Sequence, residues 1–394
     1  MSDALPADLV ERVRRRLAGE PWPPSAARVA AAVRAEGGFP DGDPLPLLQR
    51  LEDEVSGAGP LGPLLRDPLV TDVLVNAPSE VWADRGSGPE RVTVTFADDT
   101  AVVALVRRLA SCAGRRLDAA QPWVDARLPD GTRLHAVLSP PAVGHTCVSI
   151  RTLRRQHLTL EALRAGGTVD EPLAAYLHAI VAARLAVVVS GGTGSGKTTL
   201  LGCLLGLVRP YERLVLVEDA CELHPNAAHV VSLEARPPNV EGAGAITVRD
   251  LVRQAMRMRP DRLVVGEARG DEVVDMLAAL NTGHDGGMTT LHANTAADVV
   301  PRLAALAGPA GLTGAALTAQ IGSALDVAVH VVRASDGRRR VAEVAVVTGE
   351  GTVTALAYDG TRTRVGPGLP ALAARLNARG VDPPAPPLAS VRRP

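Results

Sequence analysis

The chain has 394 residues, enough for roughly two or three domains and a sizeable core. Its formal net charge of −1 gives no general basic bias, which argues against nucleic acid as a partner, although a local arginine patch stays compatible with the balance. Cys112, Cys147, Cys203 and Cys221 stand far apart, with neither CxxC nor zinc spacing, and read as small buried thiols of a reduced, cytosolic protein.

Met1 to Val10 lacks the apolar region of a signal peptide. Residues 1–60 read as a helical extension. An Arg-rich run over Leu9 to Leu17 is broken by Pro21, Pro23 and Pro24. Ser25 can cap a second helix that Gly37-Gly38 ends, and a third runs from Pro46 to Val55.

Residues 61–151 change to short strands and turns, the pattern of a smaller α+β domain. Val73 to Val75 and Val81 to Ala83 flank the turn-rich Asn76-Ala77-Pro78-Ser79. A strand is predicted over Arg91 to Phe96, and Thr100 to Cys112 has helical apolar spacing. Asp130-Gly131 marks a tight turn before strands at Arg133 to Leu138 and Thr146 to Ile150. A linker is placed at 152–168, with a basic start and a helix beginning at Thr159.

The second domain is predicted over 169–360. A helix over Asp170 to Ala183 leads to Leu185 to Val189, a continuous apolar run of the kind that a strand buried on both faces shows. Next comes Gly191-Gly192-Thr193-Gly194-Ser195-Gly196-Lys197-Thr198, then apolar residues at helical spacing to Leu207. Strand, glycine loop and helix form the setting that a phosphate-binding loop requires. Lys197 is the only lysine in the chain, and every other basic residue of the 42 is arginine. An arginine fork does not replace a compact ammonium between phosphate oxygens. The residues Gly191 to Thr199 are therefore the expected nucleotide-binding set. Backbone N–H groups from Gly192 to Thr198 would take the β-phosphate, Lys197 would bridge the β- and γ-phosphates, and the Thr198 hydroxyl would ligate Mg²⁺.

Strands follow at Leu214 to Val217, His229 to Ser232, Leu263 to Val265 and Met288 to Leu291, alternating with helices over Thr247 to Met258 and Asp271 to Leu280. Such alternation predicts an α/β fold with a parallel sheet and helices on both faces. Two strands run into acids at the edge where the glycine loop lies: Glu218-Asp219 after the first, and Gly266-Glu267 after the third. These acids are candidates for orienting water and supporting the metal. His284 and His292 flank the fourth strand, and an imidazole at a strand end could sense the γ-phosphate.

Leu303 to Leu325 carries no charge, but its glycines, Pro309 and polar residues break it too often for a membrane span. It reads as two Ala-rich buried helices joined at Gly308-Pro309. Strands are predicted again at Val327 to Val332, Arg340 to Val347 and Thr352 to Tyr358. Residues 361–394 read as a C-terminal tail, partly disordered over its Pro-rich end.

Four ordered stretches then carry a resemblance: the glycine loop, Val217 to Leu223, Arg257 to Gly270, and Gly283 to Asn294. Together they resemble the secretion ATPase superfamily of type II and type IV secretion, type IV pili and conjugation, and most nearly its Tad/CpaF branch, which serves Flp pili. The resemblance spans roughly residues 60 to 350. It implies a RecA-like P-loop core with a smaller N-terminal α+β domain, ATP and Mg²⁺ as cofactors, and a homo-hexamer. The ring would sit at the cytoplasmic face of the inner membrane, peripheral through platform proteins of a pilus or secretion machine. It places Glu218 and Asp219 in an aspartate box, Glu267 in Walker B, and His284 and His292 in a histidine box. It also implies that N-terminal-domain arginines clamp nucleotide, at Arg133 and Arg151, with Arg127 and Arg154 as weaker matches, so that ATP closes the cleft between the domains. Walker B departs from the pattern, because Gly266 stands where an aspartate usually precedes the acid. Either Glu218 or Glu267 could then be the water-orienting base. The reading favours Glu218 for the base and Glu267 for supporting metal-bound water. The expected activity is ATP hydrolysis to ADP and phosphate, driving pilus assembly or protein secretion. The alternative is a RecA-like motor for DNA transfer in conjugation.

Overall fold

A computed structural model describes residues 12–13, 15–17, 26–36, 57–86, 88–128, 130–152, 158–236, 238 and 243–387. The predicted helix at Pro46 to Val55, the Ser25 cap, the Gly37-Gly38 stop, Arg154 and residues 388–394 lie outside them. The chain divides into two compact units, Met1–Arg155 and Gln156–Pro394.

In the first unit, among the described residues, six antiparallel strands run in the order β3-β2-β1-β6-β5-β4. They are β1 (Asp72–Ala77), β2 (Glu80–Asp84), β3 (Pro89–Arg91), β4 (Trp123–Arg127), β5 (Arg133–Val137) and β6 (Cys147–Arg151). The strand expected over Arg91 to Phe96 is confined to β3, which ends at Arg91. One helix, Asp99–Cys112, packs on the inner face. Its N-terminus is fixed by the Asp98 carboxylate accepting from the Ala101 N–H (2.9 Å). Val102, Leu105, Val106 and Leu109 meet Val73, Val75, Leu134, Val148 and Ile150 in the core. Alternation along the strands explains this, because every second residue faces the helix.

In the second unit, among the described residues, nine strands run in the order β15-β14-β13-β12-β7-β11-β10-β8-β9. The parallel part holds β7 (Val187–Gly191), β8 (Leu214–Glu218), β9 (Val230–Glu234), β10 (Arg262–Ala268), β11 (Met288–His292) and β12 (Val327–Arg333). An antiparallel extension follows through β13 (Arg339–Val347), β14 (Thr352–Tyr358) and β15 (Thr363–Val365). Helices cover both faces. On β7, Val187 and Val189 belong to one core and Val188 to the other, which accounts for the unbroken apolar run. The uncharged stretch forms helices Val299–Ala307 and Gly314–Ala324, with Leu303, Leu317 and Ile321 buried. No helix among the described residues is long and apolar enough to cross a membrane.

Two expectations need correction. Much of the stretch assigned to a tail is built into the fold. Residues 363–365 form a strand, helix Leu369–Ala378 buries Leu369, Leu372 and Leu376, and Tyr176 Oη donates to the carbonyl of Pro384 (2.9 Å). Of the four cysteines only Cys203 is buried, and Cys147 is exposed.

At the sheet edge opposite the glycine loop, Arg262 and Glu212 form an ion pair (2.8 Å) with side-chain exposures of 1% and 3%. Removing one partner of such a pair leaves an uncompensated buried charge, typically costing about 3–5 kcal/mol. Glu212→Ala is therefore expected to destabilise this unit by about that amount, read from the denaturation midpoint. A loss below about 1 kcal/mol would show that the Arg262 guanidinium, which also donates to the Val181 carbonyl (2.9 Å), is accommodated without the carboxylate.

Candidate functional site

Gly191 ends β7, and the loop turns through glycines with positive φ at 191 (157°), 194 (69°) and 196 (100°). A Cβ at 191 would lie 2.3 Å from the Val331 carbonyl, so glycine is required there, whereas the spaces beside Gly192 and Gly194 are open. The following helix, Lys197–Leu205, has no side-chain cap from any described residue. Its first-turn N–H groups are thus available to an anion. Ser195 Oγ is buried without a hydrogen-bond partner among the described residues. An open cradle, an uncapped helix start and an orphaned hydroxyl fit a bound phosphate chain.

Lys197 is 7% exposed. It donates to the Gly192 carbonyl (3.0 Å), and both ring nitrogens of His292 lie 3.4–3.5 Å from Nζ. Burial pulls its pKa below the ordinary lysine value, with Glu267 opposing. His292 Nε2 lies 2.8 Å from Glu267 Oε1. Burial, then the Lys197 charge, push the imidazole below its usual range, which makes it neutral near pH 7. The contact is one of charge and distance, since Glu267 Oε1 accepts no hydrogen bond from a described residue, and both ring nitrogens stand about equally near the ammonium. Arg269 holds the other Glu267 oxygen (2.7 Å) and reaches toward Asp219 (3.8 Å).

Glu218 is 5% exposed and accepts from the backbone N–H groups of Glu222 (3.0 Å) and Leu223 (3.1 Å). It stands beside Gly266, since Val217 pairs with Val265 one residue earlier. A Cβ at 266 would fall 2.6 Å from Glu218 Cγ. The departure from the Walker B pattern thus has a steric reason: the β8 glutamate fills the space that a side chain at 266 would take. The pairing of β10 with β11 also slips between Val265 and Ala268, and such an irregularity re-aims the side chain it carries, here Glu267.

The structure therefore brings together Lys197, Thr198, Glu218, Asp219, Glu267 and His292 at the C-terminal edge of the parallel strands. It does not bring His284 there. His284 precedes β11, at the opposite edge, and its Nδ1 lies 3.1 Å from the Ala279 carbonyl. In the first unit, Arg127 pairs across to Arg133 and Arg133 to Arg151, so three arginines form a row on the outer face of the sheet. Arg151 is also paired with Asp72 (2.9 Å).

Sequence reasoning missed His330 on β12. It is 5% exposed, and its Nδ1 lies 2.9 Å from the hydroxyl of Ser190, the residue before the loop. Only the topology, with β12 parallel to β7, reveals the pair. Burial holds this imidazole below its ordinary pKa, against the attraction of Glu343 and Asp298 and a hydrogen bond with the Asn294 backbone. A depressed histidine is neutral in the fold and takes up its proton on unfolding. Its contribution to stability is therefore present above about pH 6.5 and is lost as the pH falls below that. Melting temperatures of the nucleotide-free protein should drop from about pH 7.5 to 5.5, and His330→Asn should flatten part of that slope. An unchanged slope in the variant would rule out the imidazole as its source.

The profile of one protein family, described as type II/IV secretion system protein, matches residues 54–364. A Mycobacterium tuberculosis protein whose name assigns it to conjugal transfer is 54% identical over 323 residues, covering 80% of this chain and 92% of its own length. The VirB11 protein of Agrobacterium fabrum is 30% identical over 325 residues, covering 70% and 92%. Among solved structures, the pilus retraction motor PilT with bound ADP shares the fold at 18% identity and a TM-score of 0.50, covering 70% and 79%.

Proposed function

The chain belongs to the type II/IV secretion system protein family, and on that premise we propose that it is a Mg²⁺-dependent ATPase powering a secretion, pilus or conjugation machine. The observation that carries this reading is the convergence of Lys197, His292, Glu267 and Glu218 around an open glycine loop. Thr198, with Asp219 and Glu267 behind it, would hold Mg²⁺, which when bound neutralises charge on the phosphate oxygens. Glu267 is shared between Arg269 and His292, which suits it to orienting metal-bound water, and Glu218 is assigned as the base that positions the attacking water. Neutral His292, touching both Lys197 and Glu267, would sense the γ-phosphate. The Gly191 to Thr199 stretch would hold the nucleotide.

Arg133 and Arg151 are proposed phosphate contacts, and their row with Arg127 supports them. We place the protein as a homo-hexamer at the cytoplasmic face of the membrane, peripheral through platform proteins. The Tad/CpaF pilus assignment is part of this proposal. The conjugal-transfer name of the mycobacterial relative favours the second reading, a motor for DNA transfer.

Turnover assays on the purified protein test these readings together. Hydrolysis should require Mg²⁺ and fall at least about tenfold in Arg133→Ala or Arg151→Ala. Wild-type kinetics in both variants would remove the clamp. Stimulation by DNA with steep salt dependence would select the DNA-transfer motor over the pilus or protein-secretion ATPase.

A further inference from the structure

β12 runs parallel beside β7, with Val331 opposite Gly191, so its end continues past the start of the glycine loop. The chain then reverses, and β13 returns with Arg339 opposite Arg333. This hairpin carries Arg339 to the loop, where Nε–H donates to the carbonyl of Gly194 (3.0 Å) and Cδ lies 3.2 Å from where a Cβ at Gly196 would stand. The Nη groups of the fork have no acceptor among the described residues. Some neighbouring cations are already matched. Arg269 is matched by Glu267 and Asp219, and Arg340 by Asp336 and the carbonyl of Asp359. Arg339 is thus an exposed cation beside the glycine loop, with its Nη groups unmatched and no acid paired with it among the described residues.

The sheet order says which end of a nucleotide it would meet. The strands bearing His292, Glu267 and Glu218 lie on one side of β7, and β12 and β13 lie on the other. Lys197 leans toward His292, which places the γ-phosphate on that first side. The opposite flank is left for the nucleoside end.

We propose that Arg339 binds the α-phosphate of the nucleotide held in the same subunit, bracing the loop through Nε while its Nη groups take the phosphate oxygens. This rests on the reading of the glycine loop as a nucleotide site. A planar fork grips phosphate in two places and keeps its charge, which a lysine there does only as a point. ADP and ATP share the α-phosphate, so Arg339 should secure both equally and leave discrimination between them to the His292 side.

Calorimetric binding of ADP and of a non-hydrolysable ATP analogue, each with Mg²⁺, tests this on the full chain. Arg339→Ala should weaken both by a similar factor of about ten or more, and Arg339→Lys should recover only part of the loss. The melting temperature of the nucleotide-free protein should stay unchanged while the rise produced by nucleotide shrinks. Unchanged affinity in Arg339→Ala overturns the proposal, as does a loss confined to the ATP analogue. A fall in nucleotide-free melting temperature with full affinity would make Arg339 a brace of the loop alone. If the wild-type protein binds neither nucleotide, the reading of the loop fails first and takes the inference with it.

Discussion

Replacing Lys197 with alanine is expected to abolish ATP turnover, by a factor of at least about 10²–10³, and to leave the core folded. The ammonium sits 7% exposed between the Gly192 carbonyl and the His292 ring, where it can meet phosphate oxygens without reorganising. Burial already depresses its pKa, so without nucleotide the charge is a cost to the fold. The nucleotide-free variant should therefore melt no lower than wild type, whereas the stabilisation that ADP gives the wild type should vanish. Circular dichroism, melting with and without ADP, and a phosphate-release assay check all three. Normal turnover in a folded Lys197→Ala protein would end the assignment of the loop.

Glu218→Gln should lower the hydrolysis rate by about 10²–10⁴ while nucleotide still binds. The amide keeps the shape but no longer takes a proton, and it also weakens acceptance from the Glu222 and Leu223 N–H groups. A companion variant separates chemistry from position. Gly266→Ala removes no acid, yet its methyl would sit 2.6 Å from Glu218 Cγ and push the carboxylate aside. It should slow turnover severely with little change in ADP affinity. If Gly266→Ala turns over normally while Glu218→Gln is dead, the carboxylate tolerates displacement and the steric account of Gly266 is wrong. If Glu267→Gln is the more damaged of the two acid variants in single-turnover hydrolysis, the roles given to the two acids are reversed.

Much of this site was legible because strand ends announce themselves. An apolar run that stops at Gly191, Glu218 or Glu267 tells both where the strand ends and which group it delivers to the edge. The resemblance placed His284 in one box with His292, but a histidine before a strand and one after it stand at opposite edges. β4 escaped notice because it is an edge strand whose burial is concentrated at Val124, too little alternation to read. Helix Leu369–Ala378 was hidden by the prolines after it. Contacts that depend on which strands are neighbours had no signal at all. The Ser190–His330 pair and the approach of Arg339 to Gly194 join residues more than a hundred positions apart. The pressure of Glu218 on Gly266 is of that kind too, and it turns an apparent defect in a motif into a packing requirement.

The solitary lysine has a consequence for how the chain can be marked. In most proteins acylating reagents and lysine-directed modifying enzymes find many dispensable amines on the surface. Here the only side-chain amine stands inside the phosphate cradle. Any covalent mark placed on a lysine of this chain would fall on Lys197, so under the proposed reading its protection by added nucleotide, followed at that one residue, would report occupancy of the loop.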